Sequence, residues 1–255
     1  MHRFNPIDIR GRKYLVTGAA SGIGRVTSVL LSKLGAKLIL VDINLEGLEK
    51  TKSLCTASEL ILKVDLANPN TFKEAIYGVI PTFGKIHGFV HLAGVPYVSP
   101  LKTVNYDRAQ DVFKINSYAA IELAKVFSSK RVYSGEQGAI VLISSVYGLV
   151  GSAANVGYAM SKGAVQSATK ALSIELAPKQ IRVNCIAPGF VRTEMMDEVS
   201  SSFSSDDYLN NLKKLHPLGI GEPIDVSNTI AFLLSDMAKW ITGTIISVDG
   251  GFTAQ

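Results

Sequence analysis

Between Ile143 and Val165 the chain reads ISSVYGLVGSAANVGYAMSKGAV, a stretch with four serines, two tyrosines and one lysine but no carboxylate and no histidine. Tyr158 and Lys162 stand four residues apart, so on a helix both side chains project from one face. A cation beside a phenol favours phenolate and lowers its pKa from about 10. The pair therefore predicts a general acid/base that works near neutral pH without a carboxylate or an imidazole. In a chain of nine tyrosines one such pair is unremarkable by itself, and its surroundings have to carry the argument.

Those surroundings are a strand-like run, IVLISS, that ends in hydroxyls, then a loop with two glycines, then the segment bearing Tyr158. Ser144 or Ser145 can hydrogen-bond a substrate oxygen as charge develops on it. A serine nucleophile would instead need an activating base, and none is nearby in sequence. Tyr147 is expected to line the same pocket.

The elements that must position these groups are legible as a pattern. Apolar, β-branched runs recur as KYLVTG, KLILVDI, ELILKVD, IHGFVHLAG, GAIVLISS, QIRVNCIAPG and TIISVDGG, separated by longer helical stretches. Continuous apolarity reads as strands buried on both faces, and strict alternation with helices predicts a doubly wound α/β fold with right-handed crossovers. No repeat, low-complexity segment or linker interrupts it, so residues 1–255 are expected to form a single domain. In such sheets ligands bind outside the carboxyl ends of the strands.

After the first strand comes TGAASGIGR, with glycines at 18, 22 and 24. Glycine permits a tight turn and lets backbone N–H groups approach a pyrophosphate at the next helix's N-terminus. The second strand ends in Asp42, 18 residues past Gly24, where a dinucleotide fold places an acid on the adenosine ribose diol. A carboxylate there repels a 2′-phosphate and no Arg or Lys sits beside it, so NAD is preferred over NADP. Residues 106–130 read as one long helix with an apolar stripe of Ala109, Phe113, Ala120, Leu123 and Phe127, and Asn116 fills its one gap. A buried amide needs its hydrogen bonds satisfied, so Asn116 either bridges core backbone groups or serves the site.

Composition narrows the alternatives. Apolar residues make up 47% and charged ones 18%, which fits a well-buried globular core. The net charge of +5 comes from scattered Lys and Arg rather than one basic face, against a nucleic-acid partner. No apolar run is long enough to span a bilayer, and MHRFNPIDIRGR lacks the apolar core of a signal peptide. The two cysteines form no paired framework and the four histidines show no ligand spacing, so a reducing cytoplasm and no metal are expected. Residues 192–216 form a long polar insertion expected to act as a substrate lid, because it follows a strand's C-terminal end. Its Met195, Met196, Phe203 and Tyr208 suggest apolar contacts, while its serines and acids suit a sugar or hydroxy acid equally well.

Taken together, TGAASGIG, Asp42, Asp65 in KVDL, Asn116, Ser145, YAMSK, APGFVRT and the terminal VDGG resemble the short-chain dehydrogenase/reductase family in its compact form of about 250 residues, in order and over essentially the whole chain. The resemblance implies a single Rossmann domain with a mostly parallel seven-stranded sheet and helices on both faces. It implies a nicotinamide-dependent oxidoreductase that interconverts a secondary alcohol and a ketone. Tyr158 would exchange the proton, Lys162 would tune it and bind the nicotinamide ribose, Ser145 would polarise the carbonyl, and Asn116 would anchor a water chain to Lys162. Family spacing selects Ser145 over Ser144. Gly18, Ser21, Gly22, Ile23 and Gly24 would surround the pyrophosphate, and Asp65 and Leu66 would face the adenine. Leu92, Ala93 and Gly94 would give backbone contacts, with Pro188, Gly189, Val191 and Thr193 on the nicotinamide side. Assembly as a homo-oligomer, a tetramer or dimer packed through the two long central helices, is also implied. One departure stands out: where the family carries Asn-Asn-Ala-Gly, this chain has His91-Leu92-Ala93-Gly94, and His91 is expected to be structural rather than catalytic. Two rival readings remain: a 3-oxoacyl-thioester (acyl-carrier-protein) reductase, which would prefer NADPH, and a non-catalytic dinucleotide-binding regulatory protein.

Overall fold

A computed structural model describes residues 7–56, 59–196, 212 and 214–255. Seven strands form one parallel sheet: β1 (Lys13–Thr17), β2 (Lys37–Asp42), β3 (Leu60–Lys63), β4 (Gly88–His91), β5 (Gly138–Ile143), β6 (Ile181–Pro188) and β7 (Ile245–Val248). Their order is β3-β2-β1-β4-β5-β6-β7, so the chain reverses direction across the sheet between β1 and β4. Every pairing is parallel, for example Val16 opposite Leu40 on one side and Val90 on the other. The seven strands coincide with the seven apolar runs, as expected for a sheet covered on both faces.

Strand periodicity divides the core. Leu15, Ile39, Val41 and Phe89 face one side, while Tyr14, Val16, Leu38, Leu40 and Val90 face the other. The first layer is closed by α3 (Pro69–Phe83), α5 (Ala119–Phe127) and α6 (Val156–Leu176). Within it Phe127 packs edge-on against Phe89 at 5.7 Å and against Tyr133 at 5.3 Å. Such rings each contribute about 2–3 kcal/mol by burial. The second layer is closed by α1 (Gly22–Lys33) and α7 (Pro223–Leu234), and α2 (Leu45–Leu54) flanks β2 and β3.

α1 buries Gly24, Thr27, Ser28 and Leu31. Small residues let α7 approach closely, and Thr27 Oγ1 meets Ser227 Oγ at 2.9 Å. Gly35, with φ of 89°, comes just after the helix in the left-handed region that suits glycine.

The expected single helix over 106–130 is instead three pieces: α4 (Tyr106–Phe113), a π turn (Lys114–Tyr118) and α5, ending at Phe127. The interruption falls on Asn116, the residue that filled the gap in the apolar stripe. A π turn takes in an extra residue and rotates the helix beyond it, so Val112 and Ala119 are buried while Ala109 and Phe113 are only partly covered. A 3.6-residue count run through the turn cannot see that rotation.

Candidate active site

The strand ends of β1, β2, β4, β5 and β6 open on one cleft of about 700 Å³. The glycine turn forms its floor on the β1 side. Gly18 has φ of 67°, and a Cβ there would lie 2.7 Å from Ala93 N; at Gly24 it would lie 1.9 Å from the Gly18 carbonyl. The turn therefore needs glycine at both places so that bare backbone faces the cleft. At the start of α1, Glu194 Oε2 accepts a hydrogen bond from Gly22 N at 3.0 Å and Glu194 Oε1 pairs with Arg25 at 3.3 Å. A carboxylate thus occupies the helix N-terminus as a stand-in for an anion, the chemistry expected of a phosphate seat. Glu194 and Arg25 escaped the sequence reading, since nothing local links positions 169 residues apart.

Asp42 ends β2 inside the cleft. Its Oδ2 accepts from Ala20 N and its Oδ1 from Asn44 N, which fixes the carboxylate and leaves lone pairs for a diol. Asp65 and Leu66 come after β3, and Leu92, Ala93 and Gly94 after β4; all line the same cleft, as do Ser21, Ile23, Pro188, Gly189, Val191 and Thr193. A dinucleotide fits this arrangement: a bare turn at a helix start, a fixed acid, and an apolar lining between them.

Past the turn Ser145, Tyr158 and Lys162 gather. Ser144 and Ser145 come directly after β5 and point to opposite sides. Ser144 is buried, donating to Lys162 O at 2.8 Å and accepting from Gln166 Nε2 at 2.9 Å. Ser145 stands in the cleft beside the Tyr158 phenol, and its Oγ accepts from Tyr147 N at 3.2 Å. Lys162, one helical turn beyond Tyr158 on α6, is buried and donates from Nζ to Ile143 O at 3.1 Å.

The tuning differs from the expectation. Burial pushes the Tyr158 phenol up to about 12, against the lowering effect of the nearby Ser145 hydroxyl. Burial likewise pulls Lys162 down to about 8. The ammonium lies 5.7 Å from the centre of the Tyr158 ring, turned to a backbone carbonyl rather than to the hydroxyl. In the protein alone desolvation outweighs attraction, because it penalises the charged form of both partners.

Asn116 is fully buried. Its Nδ2 donates to Val95 O and Ser161 Oγ, both at 3.1 Å, and its Oδ1 accepts from Val95 N at 2.8 Å. The amide thus ties the loop after β4 to α6, and both of its hydrogens are used. A Cβ on Gly94 would lie 3.1 Å from Asn116 Oδ1 and 3.3 Å from Lys162 Nζ, so glycine leaves a gap between these two atoms.

His91 completes a closed network. Thr17 Oγ1 accepts from Leu92 N and Ala93 N, at 3.1 and 3.2 Å, so its own proton goes to His91 Nδ1 at 2.9 Å. Nε2 then carries the ring proton and donates to Ile115 O, in the π turn, at 3.2 Å. His91 is buried and held neutral: burial first, then Lys162, lowers it to about 4. The imidazole ties β1, the loop after β4 and the π turn together, which is a structural task.

The far wall of the cleft includes two residues that the sequence did not single out, Tyr97 and Phe190. Of the expected lid, Arg192–Met196, Leu212 and Lys214–His216 are described, with Met195 and Met196 on the cleft; Phe203 and Tyr208 lie outside the described residues. Among the described residues no helix is long and apolar enough to cross a membrane.

Comparison with known proteins agrees with this geometry. A family model described as Enoyl-(Acyl carrier protein) reductase matches residues 18–253. A cyclohexanol dehydrogenase of Acinetobacter sp. (strain SE19) is 32% identical over 246 residues, covering 94% of each chain. A 3-oxoacyl-(acyl-carrier-protein) reductase of Thermotoga maritima is 33% identical, covering 95% of this chain and 98% of its own. The solved structure of a 4-hydroxyisoleucine dehydrogenase complexed with NADH superposes with a TM-score of 0.88 at 28% identity, over 96% of this chain and all of that one. A match running nearly end to end in both sequence and fold places the chain in the short-chain dehydrogenase/reductase family, among the oxidoreductases that act on CH–OH groups.

Proposed function

We propose that the protein interconverts a secondary alcohol and a ketone with NAD(H), and that Tyr158 moves the proton. The observation that carries this reading is the row Ser145–Tyr158–Lys162: a serine hydroxyl beside a phenol at the open side, with a buried ammonium behind it. Bound in the cleft, a nicotinamide cofactor supplies the hydride chemistry. The protein's own groups do the rest. Ser145 donates to the ketone oxygen as negative charge develops there. Tyr158 holds its proton firmly and delivers it to that oxygen, completing the hydroxyl; in the reverse direction it takes the same proton back. Lys162 holds positive charge beneath the tyrosine, and the gap beside Gly94 suits a water between it and Asn116 Oδ1. Leu92, Ala93, Gly94, Pro188, Gly189, Val191 and Thr193 are assigned to the nicotinamide side on the same footing.

Asp42 supports NAD over NADP, since its fixed carboxylate would face a 2′-phosphate. Exposed apolar side chains on the two long central segments, Tyr118, Ile121, Met160 and Ile174, support a homo-oligomer packed through them. The free thiols Cys55 and Cys185 suit a reducing cytoplasm. A second reading, a 3-oxoacyl-thioester reductase, is supported by the Thermotoga relative and separates from the first by cofactor preference.

Following NADH absorbance on a panel of secondary alcohols and ketones tests both. Tyr158→Phe is expected to lower kcat by about 10²–10⁴-fold while leaving NAD affinity nearly unchanged. Undiminished turnover in that variant overturns the mechanism, and a preference for NADPH overturns the assignment of Asp42.

A further inference from the structure

We propose that the substrate is a compact, electrically neutral ketone or alcohol, ring-shaped rather than chain-like, and that Tyr97 and Phe190 set its fit. This rests on the reading of the cleft as an alcohol and ketone site.

The sheet order provides the frame. Ser145 comes after β5, which lies between β4 and β6. Tyr97 comes from the loop after β4 and Phe190 from the loop after β6, so the two rings flank the strand that carries the carbonyl-binding serine. A ketone has two substituents. With its oxygen on Ser145 and Tyr158, they extend toward these two walls, and a ring joins both in the smallest volume.

Both walls are held. The Tyr97 ring lies so close to Gly157, the residue before Tyr158, that a Cβ there would sit 2.7 Å from a ring carbon. Its hydroxyl accepts from Asn105 N at 2.8 Å and lies 3.4 Å from Asn105 O, so the polar end is occupied by backbone. Phe190 packs edge-on against Tyr147 at 5.8 Å and His216 at 5.5 Å, with Phe252 at 6.4 Å. Its own N–H donates to His216 Nε2 at 3.2 Å. Supported on several sides, these rings offer apolar surface that does not readily rearrange for a long chain.

The charges point the same way. Among the described residues lining the cleft, the ionised side chains are Asp42, Asp65, Glu194 and Lys162, and the one cation is already placed beneath Tyr158. A carboxylate or phosphate on the substrate would lose its water against aromatic walls with no cation to replace it. A sugar's additional hydroxyls would meet ring faces. The hydroxy-acid and sugar alternatives left open by the serines and acids of the insertion are thereby disfavoured.

The test compares cyclohexanone with acetoacetate, an anion of similar size, under NADH oxidation by the full chain. Cyclohexanone is expected to exceed acetoacetate in kcat/KM by roughly 100-fold or more. Phe190→Ala and the milder Phe190→Leu are expected to raise KM for cyclohexanone, by about 10-fold for Ala, with kcat largely kept. Phe190→Arg should shift the preference toward acetoacetate. Equal or better use of acetoacetate by the wild type, still abolished by Tyr158→Phe, overturns the substrate class and leaves the reaction standing. Turnover that survives Tyr158→Phe overturns both.

Discussion

Ser144 and Ser145 are adjacent, and one peptide unit gives them different tasks. At the end of a strand successive side chains point to opposite sides. Ser144 therefore turns into α6 and fastens Lys162 O, while Ser145 turns into the cleft toward Tyr158. Family spacing pointed to Ser145, and strand alternation is the physical reason that the two side chains part. His91 makes the same case for a residue that departs from the pattern. Its neutral ring accepts from Thr17 and donates to Ile115 O, so protonation would turn an acceptor nitrogen into a donor facing a hydroxyl. Its folded pKa is depressed to about 4 from 6.5, so the unfolded chain takes up the proton first as pH falls. The stabilisation is complete above the unfolded value and disappears as pH drops through 6.5 toward 4, by up to about 3 kcal/mol. Urea midpoints measured between about pH 7 and 4.5 are expected to fall in the wild type and to fall less steeply in His91→Asn.

Among the elements, the glycine turn and the π turn contrast in how much they declare. The glycine turn was readable because glycine is the one residue that leaves room for such a backbone, and the fold puts these glycines where a side chain would collide. Gly24 is the strictest: a methyl group there would sit 1.9 Å from the Gly18 carbonyl. Gly24→Ala is expected to lower stability by about 1–3 kcal/mol or more in thermal melts and to weaken NAD binding in titrations. An unchanged affinity would mean that the turn does not seat the cofactor. The π turn was not readable. Asn116 and Ser117 are ordinary helix residues by type, and the turn forms where Asn116 is drawn to Val95 and Ser161 on two other elements. The sequence carried only an odd polar residue in an apolar stripe.

At the scale of the whole molecule, the cleft is built from both halves of the sheet, with Asp42 on β2 and Pro188 on β6 meeting across the reversal between β1 and β4. A ligand that bridges the halves binds only the folded chain. NAD at about 100 times its dissociation constant should add about 2.7 kcal/mol, which for a chain of this size is a melting-temperature rise of roughly 5–10 °C. NADP at the same concentration should give a clearly smaller rise. Equal shifts from the two would remove the role given to Asp42.

By itself the sequence determined the fold class, the seven strands and their places, the glycine turn, the acid after β2 and the spacing that puts Tyr158 and Lys162 one helical turn apart. These rest on local causes: periodicity, backbone freedom and spacing along one strand or helix. Tertiary structure alone decided which groups are buried against which. It turned Lys162 toward the Ile143 carbonyl and left Tyr158 holding its proton, where a nearby cation in sequence had suggested the opposite. It also brought Glu194 to the glycine turn and placed Tyr97 and Phe190 in the same cleft as Ser145. Desolvation and contacts between distant loops depend on how elements pack, and no count along the chain contains that information.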